Sequence, residues 1–198
     1  MARTRAAGLI RTTLPVVLLI VAAVAVGGCG EGPRLRWPGE NTAGLAMSNV
    51  AYGAPRSVGS MPLCVTAPGT ATITSVALHE PTGNLRIDAF AVRPNPFARG
   101  LDGVGDSLTP LGEIGGGFDP AATQQVSDVC PTDEQIADPD FDWPPLPEFA
   151  VQVSWSSGDL AGGTGIDVTY ELGGSELVAL IPFEIWVCAG PCPEEVFD

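Results

Sequence analysis

The stretch that decides the fold is residues 149–155, FAVQVSW, in which large apolar side chains alternate with small or polar ones. Residues 166–172, IDVTYEL, repeat this alternation. A period of two is typical of a strand with one buried face. After a turn at residues 173–175, the run 177–188 is apolar nearly throughout, which predicts a central strand with a bulge or break at Pro182.

Weaker strand signals precede this C-terminal third. Residues 70–78 are rich in Thr, Ile and Val, and their alternation shifts between positions 73 and 76, which predicts a bulge. Residues 81–84, PTGN, have turn chemistry, and residues 85–89 alternate again, so the two segments predict a hairpin. Two further short strands are expected at residues 107–114 and 124–129.

Six or seven short strands with Gly- and Pro-rich turns, and no convincing amphipathic helix, predict an all-β sandwich or small barrel. The pattern resembles the immunoglobulin-like domains common on exported bacterial lipoproteins, although it lacks the Cys…Trp…Cys spacing of antibody domains. The resemblance implies a single immunoglobulin-like β-sandwich, expected over residues 62–198. Residues 29–61, rich in Gly, Pro, Ala and Ser, are expected to form a flexible tether. Trp37 in this tether either docks on the domain, which is the favoured interpretation, or lies near the membrane surface.

The N-terminus has the pattern of a secretory signal. Arginines at positions 3, 5 and 11 precede the apolar run 14–26. As a helix this run would be about 20 Å long, whereas a membrane span needs about 20 residues. The run therefore suits the apolar region of a signal peptide.

Residues 26–29, VGGC, resemble the lipobox of bacterial lipoproteins. The resemblance implies a signal peptide of residues 1–28, cleavage before Cys29, and a diacylglyceryl group on that cysteine. The chain would then be lipid-anchored on the outer face of the cell membrane. The alternative is an ordinary signal peptide with an incidental cysteine.

Composition and charge exclude one class of partner. The chain has nine Arg and no Lys, and much Ala, Gly, Val and Pro, as expected of a GC-rich bacterium, in our interpretation an actinobacterium. Residues 29–198 hold all 23 acidic residues and six of the nine arginines, so their net charge is −17. Such a field repels nucleic acid and anionic lipid headgroups.

Four cysteines remain after Cys29, at positions 64, 130, 188 and 192. An even number in an exported chain predicts two disulfides. With seven strands alternating up and down, Cys64 meets Cys130 and Cys188 pairs locally with Cys192. If residues 107–114 are not a strand, Cys64 would instead face Cys188. The C-x3-C spacing of Cys188 and Cys192 resembles a thioredoxin motif with one extra residue, but a structural staple is the favoured interpretation.

Candidate catalytic groups are few. A Ser-Lys dyad is impossible without lysine, a three-His zinc site is impossible with one histidine, and a Ser-His-Asp triad would have to use His79. Paired carboxylates of a glycosidase would be consistent with so many acids, but nothing singles out a pair. We assign no catalytic residue, metal ligand or cofactor.

The best candidate for a ligand loop lies in residues 131–147, which contain five acids, five prolines and one Trp. Asp138, Asp140 and Asp142 are spaced like the start of a calcium loop, but its sixth position is Trp143 rather than Gly. A solvated acidic loop is therefore favoured over a Ca²⁺ site. Trp143 is expected to be exposed, either for stacking on a sugar or capturing a partner, or in a loop folded over a sheet edge. Two other tryptophans, Trp155 and Trp186, are expected in the core.

Three classes of function remain. The first is a non-enzymatic, membrane-tethered module that binds an envelope protein or glycan. The alternative is a structural or accessory subunit of a cell-envelope complex. A small envelope enzyme comes third.

Overall fold

The computed structural model of the chain describes residues 32–38, 43–94, 118–138 and 140–197. Strands account for 52% and helix for 4% of the described structure, and the strands form several sheets. The fold is an all-β sandwich, as the sequence pattern predicts. The strands are β1 (Leu35–Arg36), β2 (Ala43–Met47), β3 (Arg56–Pro62), β4 (Cys64–Val65), β5 (Ala71–His79), β6 (Leu85–Arg93), β7 (Gln125–Val126), β8 (Glu148–Trp155), β9 (Leu160–Gly163), β10 (Gly165–Leu172), β11 (Ser175–Ile181) and β12 (Phe183–Cys188). The helices are α1 (Asp133–Ile136) and a 3₁₀ helix, Glu194–Phe197.

Four sheets share one hydrophobic core. The largest has the strand order β11-β10-β5-β7, two others have the orders β3-β8-β6 and β2-β12-β9, and β1 pairs with β4. Trp155, Tyr170 and Phe149 are among the largest fully buried side chains of this core. Complete burial of a side chain such as Phe149 stabilises the fold by about 2 kcal/mol. Core packing thus joins sheets that share few backbone hydrogen bonds.

A long bent hairpin runs through the C-terminal third. Ile166 of β10 lies opposite Ile181 of β11, and Gly163 of β9 lies opposite Ile185 of β12. Three residues separate these pairs on the β11–β12 side and two on the other, so the extra residue falls at Pro182, which cannot donate to a ladder. The break predicted at Pro182 is confirmed, and it sends the two halves of the hairpin into different sheets.

This break divides the predicted central strand into two strands with different environments. β12 is central, between β2 and β9, but β11 is an edge strand of the largest sheet, so the prediction is wrong for β11. β2 covers the edge of β12 from Ala43, whose N–H bonds the carbonyl of Pro182 at 3.1 Å. An apolar run cannot reveal which of its parts pairs with a second neighbouring strand.

The hairpin predicted around residues 81–84 is wrong. β5 pairs with β10 and β7, whereas β6 pairs with β8 in another sheet. The turn crosses between sheets, and Thr82 bridges to Gly162. Gly83 has a φ of 69°, and a Cβ there would lie 2.8 Å from the Cβ of Ala161, so a side chain does not fit. Local alternation predicts a strand but not its partner.

The bulge predicted in β5 is confirmed. Thr169 lies opposite Ser75 and Tyr170 lies opposite Ile73, which leaves Thr74 without a counterpart. The extra residue shifts the side-chain alternation by one position and restores the inward direction of the following apolar residues.

Strands also occur before residue 62, where the folded domain is expected to start. β1, β2 and β3 begin at Leu35, Ala43 and Arg56. Leu35 is buried, and Trp37 packs against the core, as expected of a docked residue. β1 and β2 are short and a register shift interrupts β3, so none of them shows a sustained period in the sequence. The structure has twelve described strands rather than six or seven, because several have two residues and long strands are divided.

Other expectations have mixed outcomes. The segment 124–129 contains only the two-residue strand β7, and residues 107–114 lie outside the described residues. Trp155 is in the core, with 2% of its surface exposed. The prediction for Trp186 is wrong, because it is half-buried on the outward face of β12. The sequence does not predict the outward position of Trp186, because the apolar run 177–188 shows no regular alternation.

Candidate binding surfaces

The acidic loop does not gather its carboxylates into a metal site. Asp138, Asp140 and Asp142 are exposed, and Asp138 accepts a hydrogen bond from the backbone N–H of Asp140 at 3.0 Å. Within the described ranges, no group of three His, Cys, Asp or Glu side chains is placed to hold a metal ion. Trp143 is half-buried and packs edge-on against Phe141, with ring centroids 5.7 Å apart. The loop therefore offers a packed aromatic pair rather than a freely exposed indole.

The start of this loop is anchored by local hydrogen bonds. Thr132 caps α1, where its hydroxyl and the side chain of Gln135 form a reciprocal capping box. Arg36 pairs with Asp133 at 3.2 Å, and Leu146 is buried near the other end. These contacts hold both ends of the loop on the sandwich.

The sole histidine has a carboxylate partner that sequence reasoning missed. Nδ1 of His79 lies 3.1 Å from both carboxylate oxygens of Asp167, and each side chain is about one-third exposed. Strand pairing brings them together, because β5 and β10 are neighbours. The nearby hydroxyl of Thr164 instead donates to Glu80 at 3.2 Å. Asp167 can orient the imidazole of His79. The hydroxyl of Thr164, however, is hydrogen-bonded to Glu80 and not to His79.

The structure joins Cys64 to Cys130 and Cys188 to Cys192, the two pairs favoured by the strand-count argument. The structural reason for the Cys64–Cys130 pair differs from the strand count. A parallel bridge between Val65 and Val129 places these two cysteines side by side. The second pair closes the turn after β12. Each disulfide therefore joins two chain segments that are not connected to each other by a long strand ladder.

The turn after β12 is tied to the segment that follows β2. The backbone N–H of Cys192 donates to the hydroxyl of Ser48 at 3.1 Å, and Asn49 donates to the carbonyl of Gly190 at 3.0 Å. The short disulfide Cys188–Cys192 is thus part of a structural clasp, in agreement with the favoured interpretation of a staple.

A groove of about 410 Å³ lies between β5 and β6. The bulges at Thr74 and Asp88 face it, and half-buried Val76, Ile87 and Phe90 contribute its apolar surface. Asp88 accepts a hydrogen bond from Nε of Arg86 at 2.7 Å, which already pairs its charge. The groove lies between two strands that the turn at residues 81–84 connects but that belong to different sheets.

A smaller cleft of about 320 Å³ is lined by Arg93, Gln125, Asp128 and several prolines. Arg93 donates from Nε to Glu148 at 2.8 Å, and its guanidinium carbon lies 4.3 Å from the ring centre of Phe118. The Arg93 and Glu148 side chains are only 12% and 8% exposed. The ion pair neutralises the cation, so this cleft does not favour an anionic ligand.

Trp186 lies on the outer face of the sheet β2-β12-β9. Its ladder neighbours are Ala46 and Gly162, and the indole lies so close over Gly162 that a Cβ there would overlap it. Nε1 donates to Glu184 at 3.0 Å. The result is an aromatic side chain and a carboxylate on a surface of small residues.

The outer face of β11 carries two of the four exposed large hydrophobic side chains of the described residues. Val178 is 64% and Leu180 is 50% exposed, while Leu177 and Ala179 on the other face pack against the core. The other large hydrophobic residues with comparable exposure, Tyr52 and Val129, lie elsewhere. The apolar run 177–188 is visible in the sequence, but only the strand order shows that this part of it lies at a sheet edge.

Comparison with known proteins adds no identification. No protein-family model matches the chain, and no curated protein is significantly similar to it. A functional proposal therefore rests on the N-terminal sequence motif and on the surfaces described above.

Proposed function

We propose that this chain is an extracytoplasmic lipoprotein whose β-sandwich is a non-enzymatic binding module for an envelope protein or glycan. The observation that carries the proposal is the VGGC sequence at residues 26–29, after an arginine-rich start and the apolar run 14–26. A lipid on Cys29 would anchor the chain to the outer face of the cell membrane. Two disulfides and a strongly acidic sequence suit a protein outside the cytoplasm.

Binding is favoured over catalysis by the kind of groups that the described surface presents. Exposed Val178 and Leu180 on β11, and the Trp186–Glu184 pair on β12, are typical of contact surfaces.

Within the described ranges, none of the helices has the length and apolar character needed to cross a bilayer.

A second candidate is an accessory subunit of a cell-envelope complex. The exposed apolar face of β11 favours it, because surfaces of this kind are commonly covered in assemblies. The acidic charge would then direct the domain to a basic partner. Both candidates share the anchor at Cys29.

The anchor is tested by cell fractionation and mass spectrometry of the wild-type chain and Cys29→Ala. We expect the wild type in the membrane fraction, beginning at a diacylglyceryl-modified Cys29, and the variant released or unprocessed. Cys192→Ala is the matched control, since it removes a cysteine outside the lipobox and should leave the chain in the membrane. An unmodified Cys29 in the wild type, or cleavage elsewhere, contradicts the proposal. Co-purification from membranes in mild detergent then identifies the partner.

A further inference from the structure

β11 differs from the other sheet edges among the described strands. It pairs with β10 without a register shift from Ser175 opposite Leu172 to Ile181 opposite Ile166. β1, β4 and β7 have two residues each, β9 has four and β2 has five. The longer edges β3 and β6 are interrupted by bulges. Proteins commonly blunt exposed edges by such means, but β11 keeps a regular edge of seven residues.

Among the described strands, β11 has one neighbour. β2 pairs with β12 from Ala43 opposite Phe183 to Met47 opposite Val187, and it has no described pairing with β11. On the side away from β10, no described strand pairs with β11. In an antiparallel ladder, alternate residues direct their N–H and C=O groups away from the existing neighbour. These groups form a template for one additional strand.

Carboxylates lie beside this edge, and one of them, that of Asp167, already has His79 as a partner. Glu176 lies directly opposite Glu171, and Leu180 lies directly opposite Asp167. Like charges in directly opposed positions destabilise a ladder, and a cation beside Glu176 would relieve this repulsion. Among the described residues, neither Glu171 nor Glu176 forms an ion pair.

We propose that β11 binds an extended, cationic segment of another envelope protein as an additional strand of the largest sheet. Backbone hydrogen bonds to β11 would hold the segment, its apolar side chains would cover Val178 and Leu180, and an Arg or Lys would lie beside Glu176. The inference deepens the proposed binding function by naming the surface and the chemistry of the partner.

Charge argues against a second copy as the occupant. A copy paired through its own β11 would bring a second Glu171, Glu176 and Asp167 to the same extended sheet face. Each copy also carries the net charge of −17 of residues 29–198. A cationic segment satisfies both the apolar surface and the carboxylates, whereas a second copy satisfies only the former.

The test uses the full chain, purified from whichever cell fraction holds it, in mild detergent. The probe is a capped peptide, Thr-Val-Thr-Val-Thr-Arg-Thr, which in antiparallel pairing sets valines beside Leu180 and Val178 and arginine beside Glu176. We expect saturable binding and slowed amide hydrogen exchange concentrated in residues 175–181. Replacing the arginine with glutamate should weaken binding at least tenfold, and N-methylation of the amides that face β11 should abolish it.

Val178→Lys places a charge on the exposed face of the edge and should weaken peptide binding at least tenfold. Val129→Lys is the matched control, because Val129 is also an exposed apolar residue, 46% exposed, but bridges to Val65 of β4 and is not part of β11. Its binding should stay within twofold of wild type. Circular dichroism checks that both variants fold, and the N-methylated peptide gives an answer that depends on neither variant.

Three results would overturn the inference. One is equal binding of the arginine and glutamate peptides, and another is binding without protection of residues 175–181. The third is a wild-type dimer in sedimentation that Val178→Lys converts to a monomer, which would identify a second copy as the occupant. Failure of the peptide test leaves the fractionation result for Cys29 unaffected, so the two proposals fail separately.

Discussion

The backbone N–H of Leu35 donates a hydrogen bond to the hydroxyl oxygen of Tyr170 at 3.1 Å, although 135 positions separate the two residues. Both are buried, with 4% and 1% of their surfaces exposed. β1 pairs only through two residues with β4 in the described structure, so the Tyr170 hydroxyl is a principal link between β1 and the largest sheet.

Removal of this hydroxyl in Tyr170→Phe should lower the free energy of unfolding by about 1–3 kcal/mol, because the N–H of Leu35 is left buried without a partner. Tyr52→Phe is the control. The Tyr52 hydroxyl also donates to a backbone carbonyl, that of Gly158, but Tyr52 is 55% exposed and water can replace the bond. Its effect should stay within about 0.5 kcal/mol. Urea denaturation measures both, and equal losses would contradict the assigned role of Tyr170.

Glu148→Gln should cost more stability than the loss of an exposed ion pair. The variant removes the carboxylate charge from a largely buried ion pair with Arg93, and breaking a buried pair by removing one charge typically costs about 3–5 kcal/mol. Asp133→Asn breaks the Arg36–Asp133 pair, whose side chains are 41% and 81% exposed, and should cost at most about 1 kcal/mol. Chemical denaturation of the two variants checks the order. A smaller loss for Glu148→Gln than for Asp133→Asn would show that the buried pair is not an important contact.

The two disulfides should differ in their contributions to stability. Cys64 and Cys130 are 66 positions apart, and Cys188 and Cys192 are four apart. On the chain-entropy model the long closure contributes about 4 kcal/mol and the short one about 2 kcal/mol. Cys64→Ala should therefore lower the melting temperature more than Cys192→Ala. Peptide mapping without reduction verifies the pairs first, and a Cys64–Cys188 link would invalidate the comparison.

Sequence patterns predicted features that depend on neighbours along the chain. The alternation at residues 149–155 and 166–172 predicted β8 and β10, because period two places every second side chain on the same face whatever the partner strand is. Pro182 predicted a break because proline has no N–H for a ladder. The bulge at Thr74 was also readable, since an extra residue shifts the apolar alternation.

Pairing could not be predicted in the same way. β5 and β6 have a turn between them but lie in different sheets, because a turn restricts the distance between strand ends and not the sheet each strand joins. The His79–Asp167 pair depends on the β5–β10 ladder, and the position of Trp186 depends on the space above Gly162. These relationships exist only between segments distant in sequence.

The sequence by itself determined the class of the fold, the positions of its strongest strands and the net charge, since alternation, proline chemistry and ionisable side chains act locally or by simple count. The VGGC motif and the inferred anchor at Cys29 also belong to that level, and fractionation tests them. Tertiary structure decided which half of the apolar run 177–188 is enclosed. Among the described strands, β12 has β2 as a second neighbour, whereas β11 is an edge with Val178 and Leu180 exposed, because strand pairing joins segments that are distant in sequence.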